Sequence, residues 1–157
     1  MNKNQKTKEK TCVFYASDYH FEMISLPYIN KKLEENKKII VLTENNLEET
    51  IKTLVSKMNL KEENKKRLFE IDWKNNDLIK FKKIKDDREN NIIIFIKGNE
   101  NYIKNINENI AKWIEENDDV KIIDCYNIDE VSDKIDEIMN NYKMILNTTG
   151  EKHINKL

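Results

Sequence analysis

The chain has 157 residues, and its 28 lysines and arginines nearly balance its 29 aspartates and glutamates. This length suits a single domain with one core. The near-neutral charge provides no overall positive field, which argues against nucleic acid as a partner. Cys12 and Cys125 lie far apart inside apolar stretches, as buried thiols do in a reducing compartment. No apolar run approaches the roughly 20 residues of a membrane span, so we expect a cytoplasmic protein without membrane association.

Short apolar runs alternate with helix-length amphipathic segments from the start of the chain. The pattern predicts a first strand at Thr11 to Ala16 and a long helix from about Asp18 to Asn36. Pro27 lies inside this helix and predicts either a kink or two shorter helices. A second strand is predicted at Lys38 to Thr43, and an apolar stripe predicts a helix at Leu47 to Met58.

The rest of the chain continues this alternation after a mixed-charge stretch, Lys61 to Arg67, that is predicted to be a solvated connector. Its most hydrophobic run, Asn91 to Ile96, is typical of an interior strand buried on both faces. Asn127 followed by Glu130 resembles a capping box and predicts a helix start. The predicted elements are a strand at Leu68 to Trp73, a helix at Asn76 to Ile84, the strand at Asn91 to Ile96, a helix at Glu100 to Glu116, a strand at Val120 to Tyr126, a helix at Ile128 to Tyr142 and a strand at Lys143 to Asn147.

Six predicted strands joined by helices define the fold class. Parallel strands with right-handed helical crossovers bury both faces of one sheet, which predicts a single, doubly wound, three-layer α/β/α domain over residues 11–149. Residues 1–10 and 150–157 have no periodic apolar positions and are predicted to be disordered tails. Ligands of such sheets usually bind in the crevice beyond the carboxyl ends of the strands.

The candidate site residues are the polar and aromatic side chains that follow the predicted strands. Asp18 also stands where a helix begins, so its alternative role is that of a helix cap. The tentative ligand-binding residues are Tyr15, Asp18, His20, Glu44, Trp73 and Tyr126, within a wider strand-end set that adds Ser17, Thr43, Asn45, Asp72, Lys97, Gly98, Asn99, Glu100, Asp124, Cys125, Asn147, Thr148 and Thr149.

No catalytic, metal or cofactor motif is found in the sequence. The turn from Ala16 to His20 lacks the glycines of a dinucleotide-binding turn and the Gly-Lys-Ser/Thr end of a Walker loop, which argues against a standard mononucleotide site. His20 has no nearby cysteine or second histidine, so we expect no metal site. A nucleophilic site could combine His20 with Ser17 and Asp124 or with Cys125, but nothing in the spacing requires it. We therefore expect no catalytic residues and no cofactor.

The opening of the chain resembles a known family. The segments that carry the resemblance are Val13-Phe14-Tyr15-Ala16-Ser17-Asp18, Leu26-Pro27-Tyr28-Ile29, Lys32-Leu33-Glu34-Glu35-Asn36 and Ile39-Ile40-Val41-Leu42-Thr43. They resemble the opening of the MEDS sensory domain, the methanogen and methylotroph sensory module. The family often has a histidine just before the first strand, where this chain has Lys10 and Thr11.

The resemblance implies a sheet domain related to the RecA and KaiC ATPases that has lost the phosphate loop. It also implies a role in sensing small ligands within signalling or transcription-control proteins. The positions that it carries over as pocket or scaffold residues are Phe14, Tyr15, Pro27 and Tyr28.

Two functional classes therefore compete. The first is a non-catalytic sensory or signalling module that binds a small molecule or a signalling protein. The second is a small α/β enzyme, a hydrolase or transferase, with its site at the carboxyl ends of the strands. A DNA-binding regulator is disfavoured because the chain has no helix-turn-helix segment and no basic stripe. A pocket lined by Tyr15, Tyr19, Trp73 and Tyr126 would favour the first class, and a cluster of Asp18, His20, Asp72 or Asp124 would favour the second.

The first predicted helix carries two apolar stripes, which is more than one face of a sheet needs. One stripe contains Phe21, Ile24 and Tyr28, and the other contains Leu26, Ile29 and Leu33. We therefore expect the surplus stripe to cover a pocket or the core, or to form a two-fold homodimer.

Overall fold

The computed structural model describes residues 10–86, 91–116 and 119–156. The strands are β1 (Thr11–Tyr15), β2 (Lys38–Thr43), β3 (Ile92–Gly98), β4 (Val120–Asn127), β5 (Met144–Asn147) and β6 (Gly150–His153). The helices are α1 (Asp18–Glu34), α2 (Glu48–Lys57), α3 (Glu62–Glu70), α4 (Asp77–Asp86), α5 (Glu100–Glu116) and α6 (Ile135–Met139), and a 3-10 turn follows at Ile154–Lys156.

The six strands form one sheet in the order β2-β3-β4-β1-β5-β6. The first five strands run parallel, and β6 pairs with β5 in the antiparallel direction. β3 is apolar at its first five positions and buried at all seven, because it lies inside the sheet with helices above and below it. The predicted three-layer α/β/α fold is therefore confirmed.

Two hydrophobic clusters cover the two faces of the sheet. On the α1 face, α1, α2 and α3 pack on side chains such as Val13 and Phe95. On the α5 face, α4, α5 and α6 pack on side chains such as Ile94 and Ile122. Because β1 leads into α1 on one face and β4 leads toward α6 on the other, the chain leaves these adjacent strands in opposite directions. Crevices that bind ligands form at such switch points.

Helix α1 runs without interruption through Pro27, so the predicted alternative of two shorter helices is wrong. Both of its apolar stripes pack within the fold. Phe21 of one stripe and Ile29 of the other are fully buried in the α1-face core, and Leu33 packs against this core. The surplus stripe is thus covered by the chain itself. The homodimer stays a prediction, but the stripes give no indication of it.

The segment from Lys61 to Trp73 is a correction to the sequence prediction. The stretch Lys61 to Arg67 is solvated as predicted, but it is helical and not a connector, and the strand at Leu68 to Trp73 is wrong, because α3 occupies most of this segment. Glutamate, lysine, arginine and leucine all have high helix propensity. Leu68 and Trp73 are buried in the α1-face core, where Trp73 Nε1 donates a hydrogen bond to Leu68 O at 2.9 Å.

The last predicted helix is also too long, since only α6 is helical between residues 128 and 142. Asn127 does not cap a continuous helix. Its Oδ1 accepts a hydrogen bond from the backbone N–H of Asp129 at 2.9 Å, two residues ahead, and this contact forms a turn.

The predicted C-terminal tail at 150–157 contains a strand, β6, instead of disordered chain. Asn147 Oδ1 accepts from the backbone N–H of Thr149 at 2.9 Å, and Gly150 adopts a positive φ of 111°, which glycine tolerates without strain. These two features reverse the chain so that β6 returns along β5. The N-terminal tail lies outside the described residues except for Lys10.

Candidate functional site

The carboxyl ends of β1, β2 and β3 meet around the ammonium group of Lys97. Lys97 is only 3% exposed, and its Nζ lies 2.8 Å from Asp18 Oδ1 and 3.0 Å from Asn45 Oδ1. Asn45 Nδ2 in turn donates to Asp18 Oδ2 at 2.8 Å, and Thr43 Oγ1 donates to Asn45 Oδ1 at 3.1 Å. We call Asp18, Thr43, Asn45 and Lys97 the Lys97 cluster. Its polar groups satisfy one another, as buried polar groups must.

Aromatic rings support the buried charge of Lys97. Its Nζ lies 4.8 Å from the ring centroid of Tyr15 and 5.5 Å from that of Phe21. A cation at this distance from a ring is attracted by the negative ring face. The rings of Tyr15 and Phe21 also meet edge to face with their centroids 5.7 Å apart, so two packed aromatic rings form the floor of the cluster.

A buried carboxyl group, Glu22, lies one turn along α1 from Asp18. Its Oε2 accepts a hydrogen bond from Thr50 Oγ1 at 2.6 Å. Burial raises the pKa of Glu22, and the bond from Thr50 and the charge of Lys97 counteract this rise only in part. The folded protein therefore holds a proton on Glu22 more tightly than the unfolded chain does.

Replacing Glu22 with glutamine should raise the free energy of unfolding at pH 7, by more than the ~0.5 kcal/mol that a surface substitution produces. The pKa of Glu22 is raised in the folded state. The stability that this group contributes to the wild-type protein therefore falls as the pH rises from 4.5, the ordinary pKa of a glutamate, through the raised pKa of the folded state. The gain should vanish below pH 4.5, as urea unfolding at pH 4 and pH 7 can measure. Exposed Glu49→Gln is the control, and equal gains at both pH values would contradict the prediction.

A second polar group joins the end of β2 to the start of α5. Glu44 Oε1 accepts from the backbone N–H of Asn99 at 2.6 Å, and its Oε2 accepts from Asn99 Nδ2 at 3.2 Å. Gly98 permits this approach, because a Cβ atom there would lie 2.4 Å from Tyr102 Cδ2 and 2.7 Å from Glu44 Oε1. Tyr102 itself donates to the carboxylate of Asp77 at 2.9 Å. These contacts fix Glu44 at the rim of the edge.

Three of the predicted ligand-binding residues lie at this edge. Asp18 is part of the Lys97 cluster, Tyr15 lies beneath Lys97, and Glu44 is exposed at the rim. Lys97 and Asn45 belonged only to the wider strand-end set, yet they make most of the contacts. The signal that could have selected Lys97 is a charged residue at the end of the most apolar strand, where burial requires a partner.

The other three predicted residues make contacts outside the Lys97 cluster. His20 Nδ1 accepts a hydrogen bond from the backbone N–H of Ala16 at 2.8 Å, which fixes the start of α1. Trp73 is buried in the α1-face core and follows a helix, not a strand. Tyr126 lies on the opposite, α5 face, where it stacks on Phe14 with ring centroids 5.8 Å apart. The four aromatic residues proposed to line one pocket therefore do not share a face.

The two nucleophilic combinations considered from the sequence are not assembled. Ser17 Oγ accepts from the backbone N–H of His20 at 3.1 Å as the cap of α1. Cys125 is fully buried, and burial raises the pKa of its thiol well above the ordinary value, so it stays protonated and unreactive. Asp124, the third member of one combination, points to the α5 face.

Asp124 has its own buried network on the α5 face. It is 0% exposed and accepts from Tyr142 Oη at 2.5 Å and from Asn107 Nδ2 at 3.1 Å, while Lys10 Nζ lies 3.2 Å away. Burial and the charge of Asp124 raise the pKa of Tyr142, so its hydroxyl stays a proton donor. We call Lys10, Asn107, Asp124 and Tyr142 the Asp124 cluster. All four members are paired within it, and its carboxylate, unlike that of Asp18, does not reach the solvent, which indicates a structural role.

Comparison with known proteins does not assign the chain to a family. No family model matches the chain, and no curated protein or solved structure matches it either. Within the described ranges, no group of three or more His, Cys, Asp or Glu side chains is placed to hold a metal ion. None of the helices in those ranges combines the length and apolar character that crossing a membrane requires.

Proposed function

We propose that this chain is a non-catalytic sensory module that binds a small molecule at the Lys97 cluster. The observation that carries the proposal is that Lys97 is bonded to Asp18 and Asn45 at the carboxyl edge of the sheet, beside the switch point between β1 and β4. This is the usual ligand position in such sheets. At the edge, no hydroxyl or thiol is hydrogen-bonded to a histidine base within the described residues, as nucleophilic catalysis needs.

The chemistry of the ligand follows from the groups that reach the solvent. Asp18 keeps 44% of its side chain exposed, and Glu44 is exposed at the rim. Both present carboxylate oxygens, which accept hydrogen bonds and repel anions. A ligand with amine or hydroxyl donors therefore fits this edge, and a phosphate ester does not. The resemblance to the MEDS sensory domain agrees with such a role, and a signalling protein would then read the bound state.

Magnesium ATP and magnesium GTP should show no micromolar binding and no hydrolysis. The first turn of α1, which holds phosphate in many sheets of this class, is capped by Ser17 and carries the Asp18 carboxylate. Titration calorimetry measures the binding, and a phosphate-release assay measures the hydrolysis. Micromolar affinity for either nucleotide would contradict the proposed ligand class.

The proposal itself is tested with a panel of small amines, amino acids and sugars by thermal shift and calorimetry. At a hundred times its Kd, a ligand should stabilise the fold by about 2.7 kcal/mol, or roughly 5–10 °C in Tm. Glu44→Gln should weaken binding, whereas Glu49→Gln, which is exposed on α2, should not. Binding unaffected by Glu44→Gln would contradict the proposed site. Turnover of ester or phosphoester substrates that depends on Asp18 would favour the alternative of a small α/β enzyme.

A further inference from the structure

An open groove runs along the free edge of β2. This strand ends the sheet, with β3 as its single neighbour among the described strands. The groove has a volume of about 570 Å³ and is bounded by β2 itself and by residues of α3 and α4. None of its lining residues belongs to the Lys97 cluster, so the groove is a separate site.

Backbone groups of β2 point into this groove. The N–H of Lys38 donates to Asn91 O at 2.9 Å, and the N–H of Glu44 donates to Lys97 O at 3.1 Å. In a parallel pair, alternate residues direct both backbone groups at the same neighbour, so residues 38, 40, 42 and 44 face β3. Ile39 and Val41 therefore present their N–H and C=O groups to the groove.

The ammonium group of Lys80 occupies one end of this edge. Its Nζ donates to Val41 O at 2.6 Å and also donates to Lys74 O, while the side chain is buried. Burial lowers the pKa of Lys80. The contact satisfies one outward carbonyl of β2, whereas no side chain in the described part of the chain caps the backbone groups of Ile39 or the N–H of Val41.

The charge of the groove differs from that of the whole chain, whose net charge is −1. The described lining carries five cationic side chains and two carboxylates, Glu70 and Asp72. Lysines on an edge strand protect it against pairing with another sheet edge. Since backbone carbonyls hold the Lys80 ammonium, the charges that attract an acidic segment are chiefly those of Lys37, Arg67 and Lys83. The cationic residues are Lys37, Lys38, Arg67, Lys80 and Lys83.

We propose that this groove binds an extended acidic segment of a partner protein, which adds a strand to the sheet beside β2. Strand addition at a free edge gains affinity from backbone hydrogen bonds and specificity from alternate side chains. The stretch of β2 that lines the groove, residues 38–41, is about 13 Å long at ~3.3 Å per residue, so a segment of about four residues spans it as far as the Val41 carbonyl that Lys80 occupies. The inference goes beyond the proposed small-molecule site.

The test uses a fluorescent octapeptide of alternating glutamate and threonine, whose binding is measured by fluorescence anisotropy at low salt. It should bind, and the same peptide with lysine in place of glutamate should not. Lys83→Glu should weaken binding at least tenfold, because Lys83 lines the groove. Lys82→Glu is the matched control, since Lys82 is exposed on the same helix outside the lining and changes the net charge equally. It should change the affinity less than twofold.

A second peptide, N-methylated at alternate residues, separates strand addition from simple charge attraction. It keeps every charge but loses the N–H groups that would bond to β2, so its binding should be lost. On binding the unmodified peptide, amide hydrogen exchange of Ile39 and Val41 should slow at least tenfold. Equal binding of the N-methylated peptide, or equal effects of Lys82→Glu and Lys83→Glu, would overturn the proposal. Glu44→Gln should leave peptide binding unchanged, so failure here is distinct from failure of the small-molecule site.

Discussion

Replacing Asp18 with alanine should lower the free energy of unfolding by about 3–5 kcal/mol, because it leaves a buried ammonium group without its counter-ion. Replacing Lys97 with methionine should lower it by less than ~1.5 kcal/mol, since volume-conserving apolar replacements are tolerated and the freed carboxylate stays hydrated. The asymmetry follows from exposure. Lys97 is buried, whereas nearly half of the Asp18 side chain reaches the solvent.

Urea unfolding of both variants and of the double variant measures the two effects. Asp18→Ala combined with Lys97→Met should be more stable than Asp18→Ala alone, because the unpaired buried charge is then absent. Such a recovery is a coupling between neighbours and is not expected for independent sites. The contacts of Lys97 indicate that its charge is desolvated. Equal losses of unfolding free energy in the two single variants, or additive losses in the double variant, would contradict this.

Most of the sheet could be predicted from the sequence, because its signals are local. β2 and β3 contain apolar runs rich in β-branched residues and bounded by polar residues, and their bounds differ from the prediction by at most two residues. α3 was missed because Leu68, Phe69, Ile71 and Trp73 form a short apolar run, whose period cannot separate strand from helix.

β6 was missed for a different reason, since its contacts come from distant parts of the chain. Glu151 accepts from Thr11 Oγ1 at 2.5 Å and from Lys121 Nζ at 2.7 Å, which joins the end of the chain to β1 and β4. A polar segment of this kind has no periodic apolar signal. Only the assembled sheet shows what pairs with it.

The sequence could predict where the candidate site lies on the sheet, but not which of its residues contact one another. The rule that ligands bind beyond the strand ends selected Asp18 and Glu44, and both lie at that edge. The partnership of Lys97 with Asp18 depends on strand order, which puts β4 between β1 and β3. Tyr126 pairs with Phe14 in the register of β1 and β4 and so faces away from Tyr15, because side chains alternate along a strand.

The Asp124 cluster reverses the arrangement of the Lys97 cluster, because here the anion is the buried partner. Replacing Lys10 with methionine should lower the free energy of unfolding by about 3–5 kcal/mol, since a fully buried carboxylate loses its counter-ion. Replacing Asp124 with asparagine should cost about 1–3 kcal/mol, the usual loss when a buried hydrogen bond is mismatched. Lys10 is 28% exposed, so its ammonium can then reach the solvent.

Lys121→Met is the matched control for Lys10→Met. Lys121 has the same exposure, 28%, and also pairs with one carboxylate, but that partner, Glu151, keeps 17% of its side chain exposed. Removing Lys121 therefore leaves an anion that water can still reach, and the loss should be about 1 kcal/mol or less. Urea unfolding of the two variants under the same conditions compares the stability lost when a buried anion, Asp124, loses its counter-ion with the loss for a hydrated anion, Glu151.

The decisive variant is the double replacement of Lys10 by methionine and Asp124 by asparagine. It should be more stable than Lys10→Met alone, because removing the stranded charge gains more than the mismatched hydrogen bonds to Tyr142 and Asn107 cost. If the second replacement instead adds its full loss to the first, Lys10 does not neutralise Asp124. Tyr142 and Asn107, the two remaining hydrogen-bonding groups around that carboxylate, would then hold it without a counter-ion, and Lys10 would belong to the N-terminal tail that the sequence predicts.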